Sequence, residues 1–260
     1  MKKIMFCSIF LLSAIFFSSE IKLSDLAMGG DGLTYQSAEQ LYSGPARDFY
    51  PNGKIKSELN FDKGKLDGIA KMYYENGKIQ GEIQYKNGQV VGVTKEYFPN
   101  GKIKIESTYT NGKRNGIEKI YYDTGKIKSQ FTYKDDKKQG PAKHFFSNGK
   151  TESELTYLND ILNGNIKIYS DNGKLVEEAN YRDGKYNGIV KRYYKNGNLA
   201  SEISYVNGKA SGKGKQYYQD GKQKSTATGF TSIEAQELKT FPMIGEEIVG
   251  GNDKKKSNKK

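Results

Sequence analysis

The sequence predicts an all-β fold: an elongated, twisted antiparallel array of eight β-hairpin repeats of 24 residues, with a short helix at its C-terminal end. Two periodicities and one compositional bias predict it. Glycine stands at 44, 68, 92, 116, 140, 164, 188 and 212, a constant interval of 24 without insertion or deletion. A second glycine follows nine positions after each, at 53, 77, 101, 125, 149, 173, 197 and 221, and six of these eight are preceded by asparagine. The chain also carries 20 Tyr, 12 Phe and 30 Gly but no Trp. That is the composition of strands and tight turns rather than of helices, and a fixed period of this length marks a repeat architecture.

Each repeat reads as one hairpin. In Gly68–Val91, Asn76-Gly77 supplies a two-residue type I′ turn, because both central residues need positive φ and Asn-Gly is the preferred pair. Short runs rich in Tyr, Ile and Phe flank such turns, as strands require. A second turn, such as Asn87-Gly88 or Asn111-Gly112, joins one hairpin to the next. Asp136 and Asp160 replace glycine at that second turn, which predicts looser links in the middle of the array.

A two-residue loop fixes the register. It places Lys71 opposite Glu82, Tyr74 opposite Ile79 and Gly68 opposite Tyr85. The first of these positions is basic in every repeat, beginning with Arg47, and its partner is Glu58, Glu82, Glu106, Gln130, Glu154, Glu178 or Glu202. Opposite charges across a strand pair contribute about 0.2–1 kcal/mol each and penalise a slip of register. Tyr74, Ile79, Ile83 and Tyr85 are expected on one face, and Lys71, Tyr73 and Glu82 on the other. Two readings of this second face stand side by side. Either its lysines pair within the sheet, or the basic, aromatic stripe is a binding surface. That surface comprises Lys71, Tyr73, Lys95, Tyr97, Lys119, Tyr121, Lys143, Lys167, Tyr169, Lys191, Tyr193, Lys215 and Tyr217.

At about 4.8 Å per strand, eight hairpins extend on the order of 75 Å, and a sheet of so many strands must twist and curve. Each hairpin touches only its neighbours. Free edges at the two ends invite end-to-end pairing.

The flanks read differently. Residues 1–27 have the form of a secretory signal peptide: a basic start at Lys2-Lys3, then an apolar run from Ile4 to Phe17 broken only by Ser8 and Ser13. At about 1.5 Å per residue the run reaches roughly 21 Å, short of a hydrocarbon core of about 30 Å, so it is read as an export signal rather than an anchor. The cleavage point is after Ala27 or near Ser18-Ser19. Cys7, the only cysteine, lies within this run. The mature chain then has no disulfide, thiol nucleophile or thiolate metal site. Residues 28–43 form a cap or linker and residues 44–225 the array. Residues 226–249 form a second cap, in which Thr231 to Glu234 resembles a capping box opening a short helix. Leu238, Phe241 and Ile244 would seal the last hairpin. Residues 250–260 are a lysine-rich disordered tail.

The formal net charge is +12, and the basic excess sits in residues 44–225. Such a surface is either simply solvated or drawn to an anionic partner. Catalysis finds no support. The single histidine, His144, occupies a variable strand position where other repeats place Ile120 and Ile168, and it reads as a drifted surface residue. The chain has no His/Cys cluster, no Gly-x-Ser-x-Gly and no phosphate loop. No enzyme activity, cofactor, metal or nucleic-acid partner is expected.

The unit Tyr-Tyr-x-Asn-Gly-Lys-Ile-x-x-Glu-x-x-Tyr-x-Asn-Gly-Lys-x-x-Gly resembles the bacterial variant of the MORN repeat, the membrane occupation and recognition nexus, found in proteins labelled YwqK-family antitoxins. The resemblance covers about residues 44–225. It implies a meandering hairpin array with interaction roles: lipid association, protein scaffolding or toxin neutralisation. Together with the export signal, it leads to an extracytoplasmic, non-catalytic binding or scaffolding module for a protein or cell-envelope partner. Whether that places it in the periplasm, at the surface or in the medium stays open. The alternatives are a toxin-neutralising protein and a binder of anionic membrane surfaces through the lysine ladder and Lys254–Lys260.

Overall fold

The computed structural model describes residues 21–37, 39–224 and 227–228. The apolar leader up to residue 20, the Thr231 helix and the lysine-rich tail lie outside the described residues. The described residues fall into two compact units, divided between Lys113 and Arg114.

Both units are built from one hairpin, seen clearly in hairpin 2, where Gly68–Tyr73 pairs antiparallel with Ile79–Lys86. Lys71 opposes Glu82 and Gly68 opposes Tyr85, as the repeat spacing predicts. The turn between them is not the predicted one. The Tyr74 N–H donates to the Lys78 carbonyl and the Gly77 N–H to the Tyr74 carbonyl, each at 2.8 Å. Of the Asn76-Gly77 pair only Gly77 has positive φ, 84°. This is a three-residue loop with a glycine bulge, not a two-residue type I′ turn. Asparagine is present for a different reason: its Oδ1 accepts the Lys78 N–H at 3.0 Å, an Asx turn. The same bond recurs at Asn52, Asn100, Asn148, Asn172, Asn196 and Asp220.

A loop of odd length throws the ladder out by one residue, and a bulge restores it. Between Met72 and Tyr73 the register shifts, so that Tyr73 rather than Tyr74 opposes Ile79, and Gln80 is left as the extra residue. Ile79 therefore shares the face of Tyr73, Lys71 and Glu82, not that of Ile83 and Tyr85. The equivalent shift occurs in hairpins 1 and 3 to 7.

The type I′ turn does exist, at the links between hairpins. Both residues have positive φ at Lys63-Gly64, Asn87-Gly88 and Asn111-Gly112, and likewise at Asp135-Asp136, Asn159-Asp160, Asp183-Gly184 and Asn207-Gly208. The two aspartate links are not looser. Asp160, at φ 68°, donates its N–H to the Lys138 carbonyl at 3.0 Å and accepts the Lys138 N–H on Oδ1 at 2.8 Å. Asp136 does the same with Arg114. Aspartate tolerates the left-handed region and adds an acceptor that glycine lacks. Beyond each link the incoming strand has two residues of slack: Val90 opposes Tyr85, but Lys95 opposes Glu82. Gly92, at φ 69°, absorbs them, which is the physical origin of the 24-residue glycine period.

The first unit holds hairpins 1 to 3: Gly44–Phe49 with Ile55–Asp62, then hairpin 2, then Gly92–Tyr97 with Ile103–Thr110. Among the described residues its N-terminal cap reaches back to Ile21, upstream of the expected residue 28. Ile21–Lys22 pairs in parallel with Ala46 and Arg47, so the edge of hairpin 1 is covered, not free. A 3-10 turn at Leu23–Asp25 follows, then a small sheet of Ala27–Met28, Thr34–Ser37 and Gln40–Leu41. Tyr42, Ala46 and Phe61 are buried here, with Ile21, Leu23, Leu26, Leu59 and Leu66 packed against them.

The second unit holds hairpins 4 to 7: Lys113–Tyr121 with Ile127–Lys134, Lys137–Phe145 with Thr151–Leu158, Gly164–Tyr169 with Leu175–Arg182, and Gly188–Tyr193 with Leu199–Val206. In hairpin 8, Lys213 and Gly214 oppose Thr228 and Ala227. The buried cluster here is larger and aromatic. Phe131, Tyr133, Leu155, Tyr157, Leu162, Ile166 and Ile168 form it with Ala142, Ala179 and Val190. Among the described residues there is no α-helix.

Candidate functional site

The stripe of lysines and tyrosines was the candidate surface, and each unit brings its members into line. In the first unit Arg47, Glu58, Lys71, Glu82, Lys95 and Glu106 stand opposite one another on successive strands. In the second the row runs Lys119, Gln130, Lys143, Glu154, Lys167, Glu178, Lys191, Glu202, Lys215. Glu58, Glu82, Glu154, Glu178 and Glu202 thus each sit between two bases. Arg47 meets Glu58 at 2.8 Å, Lys143 meets Glu154 at 2.8 Å, Lys215 meets Glu202 at 3.5 Å and Lys167 meets Glu178 at 3.9 Å. Each such pair is partly exposed and contributes about 1 kcal/mol or less.

The tyrosines of the same face complete these carboxylates. The Tyr73 hydroxyl donates to Glu58 at 2.5 Å, Tyr97 to Glu82 at 2.7 Å and Tyr169 to Glu154 at 3.2 Å. Hydrogen bonding to Tyr73, then the Arg47 guanidinium, holds the Glu58 carboxyl below its ordinary pKa. The ammonium of Lys143 does the same for Glu154. Burial, reinforced by the facing carboxylates, pushes Tyr73 and Tyr97 up to about 12. These hydroxyls therefore stay protonated at neutral pH and act as donors, not as nucleophiles. The predicted residues stand in line within each unit: Tyr73, Tyr97 and Tyr169 bind a carboxylate of the preceding hairpin, the ion pairs of Lys143 and Lys167 lie within one hairpin, and that of Lys215 crosses to the hairpin before.

A second row of tyrosines was missed by the sequence reading. Tyr50, Tyr74, Tyr122 and Tyr194 donate their hydroxyls to the carbonyls of Tyr73, Tyr97, Phe145 and Tyr217, one repeat on, at 2.6–2.8 Å. The doubled Tyr-Tyr of the repeat was the available signal: its first member binds the preceding hairpin, its second the following one.

Two buried polar groups lie on the opposite face of the second unit. His144 is half-buried and faces the core, not the surface as expected. Its Nδ1 lies 2.9 Å from the Ser129 hydroxyl, its ring stands edge-on to Phe131 at 5.3 Å, and its Nε2 is buried without a hydrogen-bond partner. Burial, with Lys138 and Lys128 nearby, lowers its pKa to about 4. A serine–histidine contact is half of a nucleophilic dyad, but Ser129 is 4% exposed and no acid orients the imidazole, so no substrate is attacked here. Glu177 and Arg192 oppose each other on neighbouring strands, bonded at 2.9 Å, and the Tyr186 hydroxyl donates to the same carboxylate at 2.7 Å. Their side chains are only 11% and 17% exposed. Among the described residues no group of three or more His, Cys, Asp or Glu could hold a metal ion, and no helix is long and apolar enough to cross a membrane.

Seven segments of the chain match the MORN repeat variant: residues 42–63, 66–87, 90–111, 114–135, 138–159, 162–183 and 186–207. Each match spans one hairpin, and the eighth hairpin falls beyond the last. No curated protein matches the chain. With the ladder geometry, these matches make the chain a repeat-based interaction module.

Proposed function

We propose a scaffolding role for this chain, which belongs to the MORN repeat variant family: it works outside the cytoplasm and holds a protein or cell-envelope partner against its hairpins. The observation that carries this reading is the ladder. Lysine, glutamate and tyrosine recur in fixed register, and bonds such as Tyr97 to Glu82 tie each hairpin to the one before, which suits a rigid platform. Beside the ladder, Ile69 and Val93 stand about half exposed (50% and 47%) on the same face of the first unit, apolar surface available to a partner.

Export rests on the Lys2-Lys3 start and the apolar run to Phe17. Of the two cleavage points, the one near Ser18-Ser19 is favoured, since cutting after Ala27 would remove Ile21, Leu23 and Leu26 from the cap they pack into. N-terminal sequencing of protein from fractionated cells tests this. A mature start at or before Ile21 in an extracytoplasmic fraction is expected, and an intact Met1 in the cytoplasm would overturn it. Pull-down from envelope extracts then tests the partner, and recovery of nothing from either the membrane or the soluble fraction counts against the role.

One observation favours a second reading, contact with an anionic membrane surface. In the second unit the stripe has five bases but only three acids, because Gln130 stands where the other hairpins have glutamate. Flotation with anionic and neutral vesicles at low salt decides it: equal flotation rejects the membrane role.

A further inference from the structure

Hairpins 2 and 3 of the first unit enclose a pocket of about 340 Å³ on the face opposite the charge ladder. Its floor is Ile83, Val90 and Tyr109, each half-buried. Its rim includes Gln80, Glu96 and Lys104, the last two paired at 3.6 Å. This is the low end of the size range of ligand pockets, and an apolar floor with a few polar rim groups is their usual make-up.

The repeats themselves show what such a space takes. Two repeats on, the positions of Ile83, Val90, Glu96 and Tyr109 are occupied by Phe131, Lys138, His144 and Tyr157. There the space is filled from within. The Phe131 ring lies 5.3 Å from His144 and 6.4 Å from Tyr157, and the Lys138 ammonium stands 4.3 Å over it. Phe131 is 7% exposed. In the first unit Tyr109 is kept, Val90 and Glu96 stand for Lys138 and His144, and an isoleucine takes the place of the ring.

The rim narrows the guest further. Glu96 and Lys104 already neutralise each other, so a charged guest meets one like charge and breaks the pair, whereas a neutral ring disturbs neither. Gln80 is the extra residue of the bulge and is exposed. Bulges re-aim side chains at functional sites, and a primary amide both donates to and accepts from a peptide group.

We propose that this pocket is the anchor site of the scaffold, seating a neutral aromatic side chain of a protein partner while the Gln80 amide engages the adjoining peptide group. The proposal rests on the interaction-module reading above and gives it an address.

The probe is N-acetyl-phenylalaninamide, titrated into the full mature chain and followed by two-dimensional NMR. Shifts confined to residues lining the pocket, with a dissociation constant on the order of 1 mM, are expected. Ile83→Phe copies Phe131 and fills the pocket, and should weaken binding at least about tenfold, with thermal melting confirming a folded variant. Gln80→Ala leaves the floor intact and should weaken the amide probe but not toluene, which has the ring alone. Absence of localised shifts, or shifts unchanged by Ile83→Phe in a folded protein, overturns the site. Equal loss or equal retention of both probes in Gln80→Ala overturns the peptide assignment. An envelope partner whose capture is indifferent to Ile83→Phe would leave the scaffold standing and remove the pocket. Failed capture with intact probe binding would do the reverse.

Discussion

Hairpins 2 and 3 and hairpins 4 to 7 are copies of one motif, yet they bury different amounts of themselves. In the second group Phe131, Tyr133, Leu155 and Tyr157 are 4–7% exposed and join one continuous cluster. In the first, the matching Ile83, Tyr85 and Tyr109 are only half-buried, and Ser107 stands where Phe131 and Leu155 stand later. The backbone ladder is alike in both, and its charge pattern differs only at Gln130. The difference therefore teaches that register and packing are separate properties in this repeat: turns and ladder set the first, and the residues of the opposite face set the second. A packed hairpin contributes stability, and an unpacked one leaves a site.

The comparison can be broken by mutation. The largest effect is expected at Glu177. Alanine there strands the buried Arg192 charge and should cost about 3–5 kcal/mol in urea unfolding. Changing both partners to the residues of the preceding repeat, Glu177→Ser with Arg192→Ile, copies Ser153 and Ile168 and should recover most of that loss. Leu155→Ala should cost about 3 kcal/mol, whereas Ile83→Ala, on the half-buried floor of the first unit, should cost about 1 kcal/mol. Equal costs would mean that the two groups are packed alike.

Acid should act on the second unit first. His144 titrates near 6.5 when unfolded and near 4 when folded, so the unfolded chain takes up the proton first. Stability is complete above the unfolded value and falls as pH drops toward the folded one, by up to about 2 kcal/mol at pH 5. Carboxylates held low, such as Glu154, respond only below their own unfolded value of 4.5. Between these two limits the loss belongs to His144, and His144→Ile, copying Ile120 and Ile168, should abolish it in melts run across that range. The smallest effect is expected at a link. Asp160→Gly removes the side-chain bond to the Lys138 N–H but relieves left-handed strain, for a net cost under about 1 kcal/mol.

Much of the fold was legible because glycine position and strand pairing are local. The 24-residue interval gave the hairpins, and the pairing of Lys71 with Glu82 came out right although the loop between them was misread. Two errors cancelled: the loop is one residue longer than assumed, and the bulge at Gln80 takes one residue back. The Asn-Gly pair misled because asparagine serves two kinds of turn. At Asn87 it adopts positive φ, while at Asn76 it offers its side-chain oxygen. Asp160 misled for a related reason, its carboxylate being a better fit to the link than glycine. The pocket was not legible at all. It is a missing ring, and nothing in one repeat reveals it until Ile83 is set beside Phe131. His144 was placed on the surface because its neighbours Ile120 and Ile168 were treated as interchangeable strand residues, when they mark the core face.

Native-state hydrogen exchange tests the separation of register from packing most directly, since it reads protection strand by strand. Amides paired in hairpins 5 and 6 should exchange markedly more slowly than their equivalents in hairpins 2 and 3, at matched positions and with the same hydrogen bonds. Uniform protection along the repeats, or slower exchange in hairpins 2 and 3, would contradict it.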